Sequence, residues 1–199
     1  MPYTFTYYEN DIKENDLVLV VTQSGLSTNA IEALKIIKKK ECRAICLTGN
    51  KNSDVKDVAD VVIEYGVGEE LVGYVTKGVS SLALFLDLFA IAYSGKIEYL
   101  DELKKAVDLN EEMIDQATSF IQQHYKNFSS MSWVYSCGAG ANYGTALESA
   151  LKMGETIHIP SCCYEIEEYI HGPNLQLTPQ YNVIFFDGND GASRRVEQV

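Results

Sequence analysis

One segment of the chain carries the residue types best suited to proton chemistry. Glu148, Lys152 and Glu155 are spaced so that a continuous helix would place all three on one face. His171 stands before Gly172-Pro173, and an imidazole titrates near neutral pH. These side chains predict general acid–base catalysis, whereas the simpler interpretation is a ladder of solvated ion pairs and a loop histidine.

A second group of polar residues follows an apolar, β-branched run at residues 17–21, which is typical of a buried parallel strand. Thr22, Gln23, Ser24 and Ser27 stand where this strand would turn into a helix. Hydroxyls and free backbone N–H groups at such a turn can hold a phosphate without lysine or arginine. The alternative is an ordinary helix N-cap, and the pattern of a P-loop is absent from the sequence.

The order of predicted elements indicates an α/β fold with parallel sheets. Strand-like runs alternate with helical segments, and the pattern begins again near residue 133 with a strand, a glycine-rich loop and a helix. The predicted strands are 16–22, 43–47, 61–63, 133–135 and 182–186, and the predicted helices are 30–40, 53–59, 71–94, 98–126 and 141–155. Parallel strands joined by helices form right-handed βαβ units.

The predicted elements divide the chain into a first α/β half over residues 1–95, a connecting helix over 96–130 and a second α/β half over 131–199. Each half lacks elements of a compact parallel sheet, so we expect a fragment that is incomplete at both ends. The apolar stretch 79–93 is shorter than the ~20 residues of a membrane span and contains Asp87, which predicts a buried core helix.

Composition disfavours several classes of protein. A net charge of −12 over 199 residues would repel a nucleic-acid backbone. The five cysteines have no disulfide or zinc spacing, so we expect no metal site, with Cys162 and Cys163 as small buried apolar residues. Residues 1–5 lack the features of a secretory signal, which predicts a cytoplasmic protein.

The motifs resemble those of a known family, the SIS (sugar isomerase) domain proteins. The resemblance is carried by Gln23-Ser24-Gly25, by the segment 143–155, by Glu168 with His171-Gly172-Pro173, and by the segment 69–77. Within this family, the sequence is similar to the isomerase part of glucosamine-6-phosphate synthase and to fructosamine- and glucoselysine-6-phosphate deglycases. The resemblance implies two flavodoxin-like halves joined by long helices.

The resemblance also implies a role for each candidate residue. The phosphate- and sugar-binding residues would be Thr22, Gln23, Ser24, Ser27 and Val75. Glu155 would be the base that moves a proton between C1 and C2, and His171 from a partner subunit would assist ring opening. Lys152 and Glu148 would line the same face. The family implies no cofactor, a sugar phosphate as ligand, no nucleic-acid or membrane partner, and a homodimer or higher homo-oligomer.

Three functions remain open at the level of the sequence. The first is a phosphosugar isomerase or deglycase that acts on an amino-linked, fructosamine-type ketose 6-phosphate. The second is an aldose-ketose isomerase or aminotransferase similar to glucosamine-6-phosphate synthase but without a glutaminase domain. The third is a regulator that binds sugar phosphates without catalysis. Glu155 and His171 favour an enzyme, although the family's first glycine-serine loop and its C-terminal lysine are not found in the sequence.

Overall fold

The computed structural model describes Phe5 and residues 7–199. Residues 1–4, on which most of the expectation about a secretory signal rests, lie outside this range, as does Thr6. The chain divides into two compact units, Met1–Val107 and Asp108–Val199. Each unit contains a three-stranded parallel sheet, so the predicted α/β class with parallel βαβ halves is confirmed.

The first unit is built on three parallel strands in the order β1-β2-β3. Its elements are β1 (Leu19–Thr22), α1 (Thr28–Lys39), β2 (Ile45–Thr48), β3 (Val61–Glu64) and α2 (Lys77–Ser94), with short 3-10 turns at Glu9–Asp11 and Asp54–Asp57. The register aligns Leu19 with Ile45 and Ile45 with Val61. All three strands therefore end at the same edge of the sheet, and the turns that follow them lie near one another.

Helix α1 covers one face of this sheet. Leu34 and Ile37 lie one turn apart and are fully buried beside Cys46 of β2 and Val55. On the outside, the Nζ of Lys38 contacts a carboxylate oxygen of Asp60 at 2.8 Å. The predicted apolar face of the helix is therefore the face that packs.

The prediction that residues 79–93 form a buried core helix is wrong, because helix α2 is mostly exposed. Leu82 and Phe85 pack against the cluster of Leu47, Tyr65 and Val67, but only 6% of the residues of the helix are buried. Its apolar residues cover most of its circumference, and a single packed face cannot bury them all. By its length and apolar composition alone, α2 could also cross a membrane. Core helices of other proteins meet the same two criteria.

The predicted helix 98–126 is two helices, α3 (Tyr99–Gln123) and α4 (Tyr125–Ser129). His124 separates them with a backbone outside the helical range, at φ −109° and ψ 22°. No residue of α3 is buried, although its apolar positions recur at helical spacing. The helix therefore presents an uncovered apolar stripe.

The second unit contains a sheet with the order β5-β4-β6. Its elements are β4 (Trp133–Gly138), α5 (Ala141–Lys152), a π-helical turn (Met153–Ile157), β5 (Ser161–Glu165), α6 (Ile166–Ile170), a 3-10 turn (Pro173–Gln176), β6 (Tyr181–Phe186) and α7 (Ser193–Val196). Tyr135, Tyr169 and Cys137 are the buried centre of the core. The Tyr135 hydroxyl donates to Oε1 of Gln176 at 2.9 Å, which satisfies the polar end of a buried ring.

Strand β5 and its two cysteines differ from the prediction. The hydrophobic pattern predicts no strand there, and Cys162 and Cys163 are expected to be buried, whereas Cys162 is exposed and Cys163 is half-buried. β5 pairs with β4 on one side only among the described strands, so the outer part of the strand stays open. Ser161–Glu165 begins and ends with polar residues, so a search for apolar runs does not identify it as a strand.

The loop between β4 and α5 requires glycine at position 138. A Cβ added to Gly138 would overlap the backbone carbonyl of Asn142. Gly140 follows with φ of 56°, in the region that glycine occupies without strain. Two glycines therefore let the chain leave the strand and enter the helix within three residues.

We expect Gly138→Ala to destabilise the second unit by about 1–3 kcal/mol, because backbone atoms would have to move to admit the methyl group. Gly144→Ala is the matched control. It lies inside α5 with open space around it, so it should raise stability by about 1 kcal/mol or less. Urea unfolding of the purified variants measures both changes, and equal stability of the two variants would contradict the packing argument.

Candidate functional site

The turn between β1 and α1 ends in a helix whose first amides have no side-chain cap. Ser27 is the N-cap residue, but its side chain makes no capping hydrogen bond. The Oγ of Ser24, which is exposed, accepts from the backbone N–H of Leu26 at 3.2 Å. Gly25 has φ of 67°, and a Cβ there would overlap the side chain of Ser53. The turn thus offers backbone donors and two exposed hydroxyls at the positive end of α1.

Hydrogen bonds from the end of β2 hold this turn in place. The backbone carbonyl of Gln23 accepts from the N–H of Gly49 at 3.0 Å and from the hydroxyl of Thr48 at 3.3 Å. Thr48 is fully buried, and its hydroxyl also accepts from the N–H of Asn50 at 3.2 Å. Thr22 and Thr48 are also paired in the sheet, so the ends of the two strands are joined by the sheet as well as by these hydrogen bonds.

A cavity of about 760 Å³ opens at this edge of the sheet. Its lining residues are Gln23, Ser24, Leu26, Gly49, Asn50, Glu64, Gly68, Glu69, Glu70, Val72 and Val75. They come from the turns that follow all three strands, which is where ligands bind in parallel α/β sheets. Three glutamates give the rim a negative charge, so an anion would depend on the amides of the turn.

Glu70 is the most strongly held side chain of this cavity. Its Oε2 accepts from the Gln23 amide at 2.8 Å and from the N–H of Gly78 at 3.1 Å. Its Oε1 accepts from the N–H groups of Thr76 at 2.8 Å and Lys77 at 2.7 Å. The bond from Gln23, together with the three backbone bonds, lowers the pKa of Glu70 to about 2. Glu70 is therefore a carboxylate at neutral pH.

The sequence-predicted phosphate residues are divided between two surfaces. Gln23, Ser24 and Val75 line the cavity just described, whereas Thr22 and Ser27 line a neighbouring groove of about 510 Å³ along β1. Thr22 is buried, and Ser27 is exposed. The turn itself joins the two surfaces, so a ligand at the N-terminus of α1 could reach both.

In the second unit, the structure brings Glu148, Lys152 and Glu155 together. Lys152 Nζ lies 2.6 Å from Oε2 of Glu155 and 3.5 Å from Oε1 of Glu148. The hydrogen bond that Lys152 donates to Glu155, with the nearby charge of both carboxylates, raises the pKa of Lys152. The Lys152 side chain is 21% exposed, against 34% for Glu155, so the ammonium is the more enclosed group.

The backbone beneath Glu155 differs from the predicted continuous helix. Helix α5 ends at Lys152, and Glu155 lies in the π-helical turn Met153–Ile157. Single π-helical turns are rare, and they are found frequently at functional sites. The turn still allows the contact with Lys152, and it places Glu155 on an open groove of about 600 Å³ beside β5.

His171 lies at the C-terminal end of α6 and is exposed. Its backbone N–H donates to the carbonyl of Glu168 at 3.2 Å, while its side chain belongs to no ion pair in the described part of the chain. The preceding residues are held by Glu165, whose carboxylate caps α6 by accepting from the N–H of Glu167 at 2.7 Å. The imidazole thus remains accessible to another group.

Glu70, Thr48 and Ser53 have structural roles at this site that were not assigned from the sequence. Thr48 and Ser53 are buried polar residues, and burial of a hydroxyl is a property of the fold. Glu70 stands six residues before Thr76, beyond the spacing of a capping box. Two signals pointed to Glu70 in the sequence: it is acidic ahead of a long apolar helix, and it lies in the segment 69–77 that carries part of the family resemblance.

Comparison with known proteins relates the chain to one family. The SIS domain family matches residues 4–92. A glutamine–fructose-6-phosphate aminotransferase [isomerizing] of Caldanaerobacter subterraneus subsp. tengcongensis is 31% identical over 180 residues, which are 84% of this chain and 29% of that protein. The aminotransferase of the same name from Thermotoga maritima is 28% identical over 90% of this chain and 31% of that protein. The chain therefore spans less than a third of these relatives.

Solved structures have the same fold. A Clostridium difficile 630 protein, provisionally described as a phosphosugar isomerase, is 28% identical with a TM-score of 0.85 over 99% of this chain and 59% of that one. A glucosamine-6-phosphate deaminase of Thermotoga maritima matches with a TM-score of 0.83 over 94% of this chain and 58% of its own, at 24% identity. Residues 4–92 therefore match the SIS domain family, and the two parallel sheets of the chain have the fold of these solved structures.

Proposed function

We propose that the chain is part of a cytoplasmic phosphosugar isomerase or deglycase that acts on an amino-linked ketose 6-phosphate. The observation that carries this proposal is the contact between Lys152 and Glu155 on a π-helical turn beside an open groove. A carboxylate held by one oxygen can remove a proton from carbon when the other oxygen faces the substrate. Relatives named as aminotransferases and isomerases of sugar phosphates support the same class of reaction.

The phosphate would bind at the N-terminus of α1. Ser24 and Ser27 supply hydroxyls, Gln23 and Ser24 supply backbone N–H groups, and the helix dipole supplies positive potential. The Gln23 side chain is already bound to Glu70, so Gln23 would serve through its backbone. Thr22 and Val75 would limit the space around the phosphate.

The carbon chemistry would use the second unit. Glu155 takes a proton from C1 of the ketose, the C1–H electron pair forms the C1=C2 bond, and the C2 carbonyl oxygen receives the displaced π electrons and a proton from water, which gives an enolamine. Glu155 then returns its proton to C2 while the nitrogen lone pair forms the C1=N bond of an imine and the N–H proton passes to water. A water molecule adds to C1 of the imine, one of its protons passes to the nitrogen, and the C1–N bond breaks as the C1 hydroxyl loses its proton, which releases the amine and the sugar aldehyde. Lys152 and Glu148 orient Glu155, and His171 of a second subunit in a homodimer assists ring opening.

Similarity to an aminotransferase and to a deaminase also favours a second function. A glutamine–fructose-6-phosphate aminotransferase [isomerizing] is similar to this chain in sequence, and a glucosamine-6-phosphate deaminase has the same fold. The same proton transfer between C1 and C2 would serve an isomerase that adds or removes ammonia. Turnover of fructoselysine 6-phosphate, glucoselysine 6-phosphate, or fructose 6-phosphate with ammonia separates the two functions.

Replacing the base should stop the proton transfer. We expect Glu155→Gln to slow exchange of the C1 proton of the preferred ketose 6-phosphate by about 10²–10⁴-fold, because an amide cannot accept that proton. NMR in D₂O measures the exchange, and calorimetry should find substrate affinity retained. Glu111→Gln, an exposed change on α3, is the charge-matched control. Exchange at the normal rate in Glu155→Gln would rule out Glu155 as the base.

Removing the hydroxyls of the turn should weaken phosphate binding. We expect Ser24→Ala and Ser27→Ala each to raise the Kd for fructose 6-phosphate by about tenfold, since each loses a hydrogen bond to a charged group. The Kd for unphosphorylated fructose should not change. Ser80→Ala, an exposed serine of α2, is the control. Equal losses for both sugars would show that the turn does not recognise phosphate.

A further inference from the structure

The N-terminus of α2 is already occupied by an anion from the same chain. The Glu70 carboxylate accepts hydrogen bonds from the backbone N–H groups of Thr76, Lys77 and Gly78 at 2.7–3.1 Å. These are the N-cap residue and the first two residues of an 18-residue helix. Both carboxylate oxygens are used, so the donors that a helix normally offers to an external anion have a partner.

The N-terminus of α1, in contrast to that of α2, has no carboxylate bound to its first amides among the described residues. Within Phe5 and residues 7–199, no side chain accepts a hydrogen bond from the first amides of this 12-residue helix, and Ser27 at its N-cap position is exposed. The cavity of about 760 Å³ is lined both by Ser24, from the turn before α1, and by Glu70 and Val75, from the segment before α2. Two helix N-termini therefore begin near one cavity, and only that of α2 is closed by a carboxylate.

The same carboxylate fixes the orientation of Gln23. The Gln23 amide nitrogen donates to Oε2 of Glu70 at 2.8 Å, which turns its Oε1 toward Gly78. This Oε1 is buried without a hydrogen-bond partner, a cost that the charged bond on the nitrogen side offsets. Gly78 is required for this approach, because a Cβ there would overlap the Gln23 amide. Glu70 thus joins the start of α2 to the turn before α1.

We propose that Glu70 is a positioning residue that directs the phosphate of a ligand to α1 by closing the competing N-terminus of α2. The inference rests on the proposed function, because it presumes that the turn before α1 receives a phosphate. It goes further in assigning Glu70 a role in choosing between two helix ends.

Amide NMR of the 199-residue chain tests this directly with inorganic phosphate as the probe. In the unaltered protein, phosphate should shift the amide signals of residues 24–30 and leave those of Thr76, Lys77 and Gly78 unchanged. In Glu70→Ala, phosphate should shift the signals of these three amides as well, because their acceptor is gone. Formate should suppress the new shifts by replacing the missing carboxylate, a rescue that a purely structural role for Glu70 does not predict.

Two further variants keep the test decisive. Glu70→Gln retains the size of the side chain and one carbonyl acceptor, so it should fold and give a smaller response at the same three amides. Glu32→Ala removes an exposed glutamate of α1 that pairs with Lys35, and it should behave like the unaltered protein. The inference is overturned if phosphate shifts the amides of Thr76–Gly78 in the unaltered protein, or leaves them unshifted in both Glu70 variants.

This test separates the inference from the proposed function. If fructose 6-phosphate and phosphate leave the amides of residues 24–30 unshifted, the proposed phosphate site is wrong. The response at Thr76–Gly78 in Glu70→Ala would still report whether Glu70 closes α2. In the case that both hold, Glu70→Ala should also raise the Kd for fructose 6-phosphate by about tenfold, the effect of one charged hydrogen bond, and formate should restore it.

Discussion

Parallel pairing of β1, β2 and β3 is the constraint on which the candidate phosphate site depends. Strands in this register finish together, so three separate turns must lie at one edge and satisfy their backbone groups there. The Gln23 carbonyl accepts from Gly49 and Thr48, which fastens the turn before α1 to the end of β2. Without this pairing, the residues that line the cavity would have no common location.

Charge at this edge is arranged by hydrogen bonds more than by charged partners. Three glutamates line the cavity, and the chain as a whole carries a net charge of −12. A phosphate would be repelled at long range, so short-range donors at an uncapped helix must supply the attraction. Glu70 illustrates the same physics, because backbone N–H groups and the Gln23 amide stabilise its negative charge. At this edge, backbone N–H groups at a helix N-terminus stabilise a negative charge without a lysine or arginine partner.

The second unit holds a cluster of three charged side chains, Glu148, Lys152 and Glu155, in fixed contact while leaving them partly exposed. Gly138 allows the close approach between β4 and α5, and the π-helical turn after Lys152 alters the direction in which Glu155 points. Lys152 lies between Glu148 and Glu155, so its ammonium is stabilised on two sides. Such a cluster combines a fixed geometry with access to the groove beside β5.

The sequence by itself determined the class of fold, the strand-to-helix turns and the residues of the charged cluster. Hydrophobic runs and glycines are local signals, and the spacing of Glu148, Lys152 and Glu155 is a property of the chain alone. Helix α1 also followed this logic, because its buried residues Leu34 and Ile37 lie one turn apart.

Only the tertiary structure decided the features that depend on contacts between distant residues. The exposure of α2 reflects which elements cover it, and β5 exists because β4 supplies its hydrogen bonds. The hydrogen bond between Gln23 and Glu70 joins residues that are 47 positions apart in the chain. Local spacing predicts a continuous helix through Glu155, whereas the structure has a π-helical turn there. Periodicity reports which face of an element is apolar, whereas the partner of that face is chosen by the whole chain.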